Sequence, residues 1–146
     1  MKTKKIIAAG VLPICKSTGR VMLIRRGLKQ SFPGMWATFG GKFEDGEDKD
    51  PKENAMREFV EESGYKGKFK ISNKPIDVYE TNHLKFYTFV GVFDEEFTPD
   101  LETADEAMDY GWFYLGEFPS ELHPGVNDML RENNKTLENI ICSFQS

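Results

Sequence analysis

Three glutamates, Glu58, Glu61 and Glu62, crowd the stretch Arg57-Glu58-Phe59-Val60-Glu61-Glu62-Ser63-Gly64-Tyr65. If that stretch is helical, each residue turns by roughly 100°. With Glu58 set at about 0°, Glu61 lies near about −60° and Glu62 near about +40°. The three carboxylates then share one face. Met56, Phe59, Val60 and Ser63 fall between roughly 100° and 200°, which predicts that the helix packs through those four and presents its acids on the other side. Like charges four apart repel by a few tenths of a kcal/mol, so the cluster either is an ordinary solvated acidic face or serves a ligand. Arg57, beside it, can fork onto one carboxylate and hold it. A held cluster of oxygen ligands suits a hard divalent cation such as Mg²⁺. The segment contains no His or Cys, which argues against Zn²⁺.

These acids need an element to position them, and the flanking residues supply the signals for it. Asp50 can cap the orphan N–H groups of a helix, Pro51 suits its first position, and Glu53 stands three residues after the cap. Gly64 is placed for the left-handed cap at the other end. The prediction is a helix over 51–63. It is entered through Gly40-Gly41-Lys42-Phe43-Glu44-Asp45-Gly46-Glu47, a loop with a further glutamate. Upstream, Ile6–Cys15 is an apolar run that reads as a buried strand, followed by a Ser17-Thr18-Gly19 turn and a second strand from Val21. Residues 27–34 read as a loop and 35–39 as a short strand. Downstream, 66–79 and 84–93 read as strands. The latter sets Phe86, Thr88, Val90 and Val92 on one face and Tyr87, Phe89 and Phe93 on the other. Residues 94–109 carry eight acids and no base and read as an exposed loop. A strand over 111–115 and a helix over 119–133 complete a β-β-β-α-β-β-β-α order, a mixed α/β or α+β domain spanning 1–146.

Composition narrows the partners. The chain has 146 residues, of which 39% are hydrophobic and 29% charged, with a formal net charge of −5. Such a chain fills one core, and its acidity speaks against duplex DNA or an anionic membrane as the main partner. Residues 41–62 hold nine acids and four bases, which equals the whole net charge, while the remaining acids and bases balance. The acidity is thus largely the imprint of one segment. Cys15 and Cys142 are expected to be free thiols. No cleavable leader or membrane span is expected, and the expected location is cytoplasmic.

The segment resembles the Nudix box, G-x5-E-x7-R-E-U-x-E-E-x-G-U, where U is apolar. Gly41, Glu47, Arg57, Glu58, Phe59, Glu61, Glu62, Gly64 and Tyr65 carry the match. The spacing departs at one point: nine residues, rather than seven, separate Glu47 from Arg57. Phe39 also stands where many relatives have proline. The resemblance implies a Nudix-type α/β/α sandwich with a mixed central sheet. It also implies a hydrolase, MutT-like in type, that cleaves the pyrophosphate bond of a nucleoside diphosphate linked to another group. By this likeness Glu61 and Glu62 are metal ligands, Glu58 is a further ligand or a base, the Gly40 carbonyl is an additional ligand, and Arg57 orients a glutamate. The cation is Mg²⁺, with Mn²⁺ as an alternative. Glu106, on the later acidic loop, stands where some relatives carry the general base, but is equally one solvated acid among eight.

Around this core, Arg25 or Arg26 offers a phosphate contact or simply lies on the surface. Trp36 and Trp112 can stack a nucleobase or belong to the core, as can Phe86 and Tyr87. Asn127 stands where a MutT-like relative reads a base edge, or is a helix-surface residue. His83 and His123 read as surface or core histidines. ADP-ribose, a dinucleoside polyphosphate, a nucleotide sugar and a nucleoside triphosphate all remain candidate substrates. So do an RNA 5′ end, with the lysines of 1–5 and 66–74 as its basic path, and a non-catalytic nucleotide-sensing module. A homodimer is compatible with the sequence.

Overall fold

The computed structural model describes residues 4–102 and 107–144. Ten residues of near-continuous apolar character form β1 (Ile6–Cys15), and all but its first two are buried. A strand buried on both faces takes a central place. β1 runs parallel to β7 (Leu84–Phe93) from Ile6↔Leu84 to Cys15↔Phe93. Its other edge is shared by β2 (Val21–Arg26), met at Ile14↔Val21, and by β4 (Phe39–Lys42), paired over Ala8–Val11. β2 also pairs with β3 (Trp36–Ala37) and β8 (Ala107–Phe113), while β5 (Lys70–Ile71) and β6 (Asp77–Glu80) pair with β7. These eight strands make one mixed sheet.

Helix α1 (Pro51–Ser63) packs on one face of the sheet. On the other lie α2 (Pro124–Glu132) and α3 (Asn134–Ser143). The alternation of β7 sorts its side chains as expected: Val90 and Val92 go to the α2–α3 side, and Tyr87, Phe89 and Phe93 to the α1 side. The α/β/α sandwich with a mixed central sheet is present. Among the described residues, no helix is long and apolar enough to cross a membrane. Both cysteines are free thiols.

Several elements differ from expectation. The single strand over 66–79 is two short ones, because residues 73–75 leave the β7 ladder between the Ser72 N–H to Val90 carbonyl bond (2.9 Å) and the Ile76 N–H to Thr88 carbonyl bond (2.8 Å), and Pro75 offers no ladder donor. Part of 94–109 is strand rather than loop, since β8 begins at Ala107. The Gly-Gly turn is itself strand β4. The helix expected over 119–133 starts only at Pro124, because 121–123 are drawn to the sheet edge. There the Trp36 N–H donates to the Glu121 carbonyl (2.8 Å) and the His123 N–H to the Trp36 carbonyl (2.9 Å). Helix α3 was not expected, although Leu137, Ile140, Ile141 and Phe144 repeat at helical spacing and pack on the core.

Candidate functional site

The caps of α1 form as the sequence predicts. The Asp50 carboxylate accepts the Glu53 N–H at 2.9 Å, and Gly64 takes φ 67° with its N–H donating to the Val60 carbonyl. The rotation of the helix about its axis differs, however. The residues it buries are Asn54, Ala55, Phe59, Glu62 and Ser63, while Val60 is 45% exposed. The expected apolar face is therefore turned, so that a charged residue goes in and an apolar one comes out. Glycine is the reason. A Cβ on Gly41 would collide with the Glu58 carboxylate, so the bare backbone of β4 lets the acidic side of the helix approach. Asn54, fully buried, holds the two elements together by donating to the carbonyls of Gly41 (3.1 Å) and Lys42 (3.3 Å).

The acids now divide. Glu58 and Glu62 line a water-accessible chamber of about 520 Å³ together with Gly40, Gly41 and Arg26. Burial pushes the Glu58 carboxyl above the usual carboxylate range, against the opposing influence of Glu62 and Arg57. Glu61 lies on the outer flank, 57% exposed at its side chain, and meets Arg57 Nη1 at 3.2 Å. The same Nη1 donates to Glu58 Oε1, also at 3.2 Å.

Arg57 is held from behind by a residue outside the expected set. Asp48, buried with its side chain 1% exposed, accepts from Arg57 Nε (3.0 Å) and Nη2 (2.9 Å) and from the Glu44 N–H (2.9 Å). This fork holds the Asp48 carboxyl below, and the Arg57 guanidinium above, its ordinary range. Glu47 comes no nearer to Arg57 than 3.7 Å and is 66% exposed at its side chain. A tight turn with Gly46 at φ 91° curls the loop so that Asp48 points in and Glu47 out. The longer loop thus supplies a different acid.

Of the flanking candidates, Arg26 lines the chamber, its Nε and Nη2 donating to the carbonyl (2.6 Å) and hydroxyl (2.9 Å) of Ser31. Arg25 points elsewhere, its Nε donating to the Gly34 carbonyl at 2.9 Å. Trp36 packs edge-on against Phe113, and Trp112 packs on Phe97 while its Nε1–H donates to the Phe97 carbonyl. Neither indole borders the chamber, whereas Phe86 does. Asn127 is exposed on α2. Glu106 lies outside the described residues. The lysines of 66–74 cluster near Lys70↔Val92, whereas the chamber opens beside Leu84. Eight residues of β7 separate them, roughly 26 Å.

A second chamber, about 200 Å³, adjoins the first. The two share Arg26, Ser31, Thr38, Gly40, Leu84 and Phe86. His123 lines the smaller one. Its Nδ1 accepts the Gly125 N–H at 3.0 Å and its ring packs on Phe32 with centroids 4.3 Å apart. Burial, then the charge of Arg26, lowers the His123 pKa. Nothing in the spacing of the chain marked His123 as a pocket residue, because sheet pairing and the start of α2 bring it there.

The family model described as the NUDIX domain matches residues 4–132. The chain belongs to the Nudix family. No curated protein sequence matches it. Among solved structures it is similar to a Nudix hydrolase from Nitrosomonas europaea, with 18% identity and a TM-score of 0.73 over 95% of this chain and 75% of the other. An Ap4A hydrolase from C. elegans, solved as a binary complex, gives 19% and 0.71 over 90% and 98%. The MutT protein from Methanosarcina mazei Go1 gives 22% and 0.68 over 93% and 97%. At these identities the likeness is one of fold.

Among the described residues, no three His, Cys, Asp or Glu side chains converge closely enough to hold a metal as they stand. The donors of the Nudix box nevertheless fit a hard cation. Glu58 and Glu62 set two largely buried carboxyl groups on one cavity, an arrangement that a shared proton or a cation must satisfy. Glycine backbone beside them leaves room for a carbonyl ligand.

Proposed function

We propose that this chain hydrolyses a pyrophosphate bond in a nucleoside diphosphate linked to a further group. Membership of the Nudix family supports pyrophosphohydrolase chemistry on a small nucleotide as the reaction class. Under this reading Glu62 and the Gly40 carbonyl hold Mg²⁺, or Mn²⁺ in its place, Glu61 would turn in from the outer flank to join them, and Glu58 is either a further ligand or the base. The observation that carries it is the burial of Glu62 against Glu58 in a chamber that Arg26 also borders. With Glu44, Glu58 and Glu62 against Arg26 and Lys42 around one cavity, an anionic substrate fits only if a cation offsets the acids. When bound, the cation neutralises phosphate oxygens and acidifies a water.

The remaining work falls to side chains. Arg26, fixed by Ser31, contacts a phosphate oxygen. Arg57 restrains Glu58 from one side while Asp48 restrains Arg57 from the other. Hydrolysis adds water across the P–O–P bridge, so a base must take a proton from that water. Glu58 suits this role, because its burial raises its proton affinity. Glu106 is the other acid proposed for it.

The test is a panel of nucleotides with Mg²⁺, read by release of a monophosphate product. At least one should be cleaved, and Glu62→Gln should lower kcat by about 10³-fold. Turnover near wild type in that variant would remove the metal assignment.

A further inference from the structure

The smaller chamber shares Arg26 and Gly40 with the carboxylate chamber, and Asp77 and Met129 are among the residues that line it alone. A substrate whose phosphates lie at Arg26 has this path open to its organic part. Three features of the path bear on what fits.

Leu84, Phe86, Val126 and Met129 give it apolar surface beside the hydroxyls of Thr38, Tyr79 and Thr88, and that apolar surface suits a flat aromatic ring. Beyond the shared residues the chamber is lined by the Asp77 carboxylate, which would repel a second phosphate and accept hydrogen bonds. The carboxylate is held in place: Asn133 Nδ2 donates to Asp77 Oδ1 (3.2 Å) and to the Met129 carbonyl (2.9 Å). Finally, His123 accepts the Gly125 N–H at Nδ1, so in the neutral ring the proton sits on Nε2, a donor.

We propose that this chamber is the nucleobase subsite and that Asp77 selects a base whose edge offers adjacent N–H donors, guanine among the common bases. The proposal rests on the hydrolase reading for the place of the phosphates. Guanine shows a carbonyl, a ring N–H and an amino group in a row. The two donors face a carboxylate, and the carbonyl is free for a donor such as His123. Adenine puts a bare ring nitrogen beside its amino group, and that lone pair would face the carboxylate. Hypoxanthine keeps the ring N–H but lacks the amino group. A site built to receive hydrogen-bond donors rejects analogues without them far better than an apolar pocket can.

The experiment is calorimetric titration of the full chain with GMP, IMP, AMP and UMP in EDTA, where no turnover occurs. GMP is expected to bind tightest, at least about tenfold above AMP, with IMP between. The isosteric Asp77→Asn should bring GMP and AMP to within about threefold of each other, and circular dichroism checks that it folds. Phe86→Ala should weaken all four. Binding that ignores the base, an absence of binding, or a guanine preference that survives in Asp77→Asn overturns the proposal. The nucleotide panel run on the same preparation separates the two readings. Cleavage without base preference removes the subsite alone, and base preference without cleavage removes the catalytic reading alone.

Discussion

Two faces of α1 solve opposite problems. On one face Phe59 is fully buried and meets the rings of Phe39, Tyr65, Phe69, Phe93 and Phe97 at centroid distances between 5.1 and 6.1 Å. Offset and edge-on aromatic contacts of this kind add to a large burial of apolar area. Along its acidic flank the same helix sets Glu58 and Glu62 against the glycines of β4 and lines them with a cavity. Burying carboxylates is unfavourable unless they are paired or bound. One region therefore holds the helix down, and the other uses that anchorage to keep charges where they would not stay by themselves. Stability and activity should separate along one helix.

The first way to break this comparison is Glu62→Gln. Activity should fall by about 10³-fold, while thermal unfolding should show an unchanged or higher Tm, since a buried charge is removed. A clear loss of stability would show that Glu62 serves the fold. Phe59→Ala is the opposite case. It should destabilise by about 3–5 kcal/mol in urea unfolding, and the protein that remains folded should keep the wild-type KM.

A smaller effect tests the link between the two regions. Asp48→Asn should cost about 10–100-fold in kcat or in the apparent affinity for Mg²⁺, as partners behind metal ligands do. Glu47→Gln should stay within about twofold of wild type, as an exposed and loosely held charge would. Equal losses in the two variants would restore Glu47 to the role the box pattern assigns it. The same pair gives a pH prediction. Asp48 has a folded pKa below its unfolded value. Its stabilisation is therefore full above the usual aspartate range near about 3.9. It is lost as pH falls through the lowered folded value. Acid unfolding followed by circular dichroism should be less steep in Asp48→Asn over that window. The smallest effect is Val60→Lys, expected to stay within about 0.5 kcal/mol, because Val60 faces solvent despite its apolar character.

Much of this was legible from residue order. The caps of α1 were, because Asp50, Pro51 and Gly64 act on their own backbone neighbours. The face alternation of β7 was, because side-chain direction in a strand has a fixed period. The helical spacing of Leu137, Ile140 and Ile141 was also present, and α3 follows from it. The rotation of α1 was not legible. Helical periodicity alone favoured Val60 for the interior, and only the close approach of Gly41 to Glu58 reverses this. The choice of Asp48 over Glu47 was hidden for a similar reason, since a turn at Gly46 decides which of two adjacent acids points inward.

The sequence by itself determined the family of this chain, the position of α1 and the chemical kind of its donors, because each depends on residue types at fixed local spacing. The tertiary structure decided which carboxylates enter the chamber, which acid holds Arg57, and that Asp77 and His123 border one cavity with Phe86. Those outcomes depend on contacts between elements far apart in the chain, and on where a missing side chain lets two backbones come close.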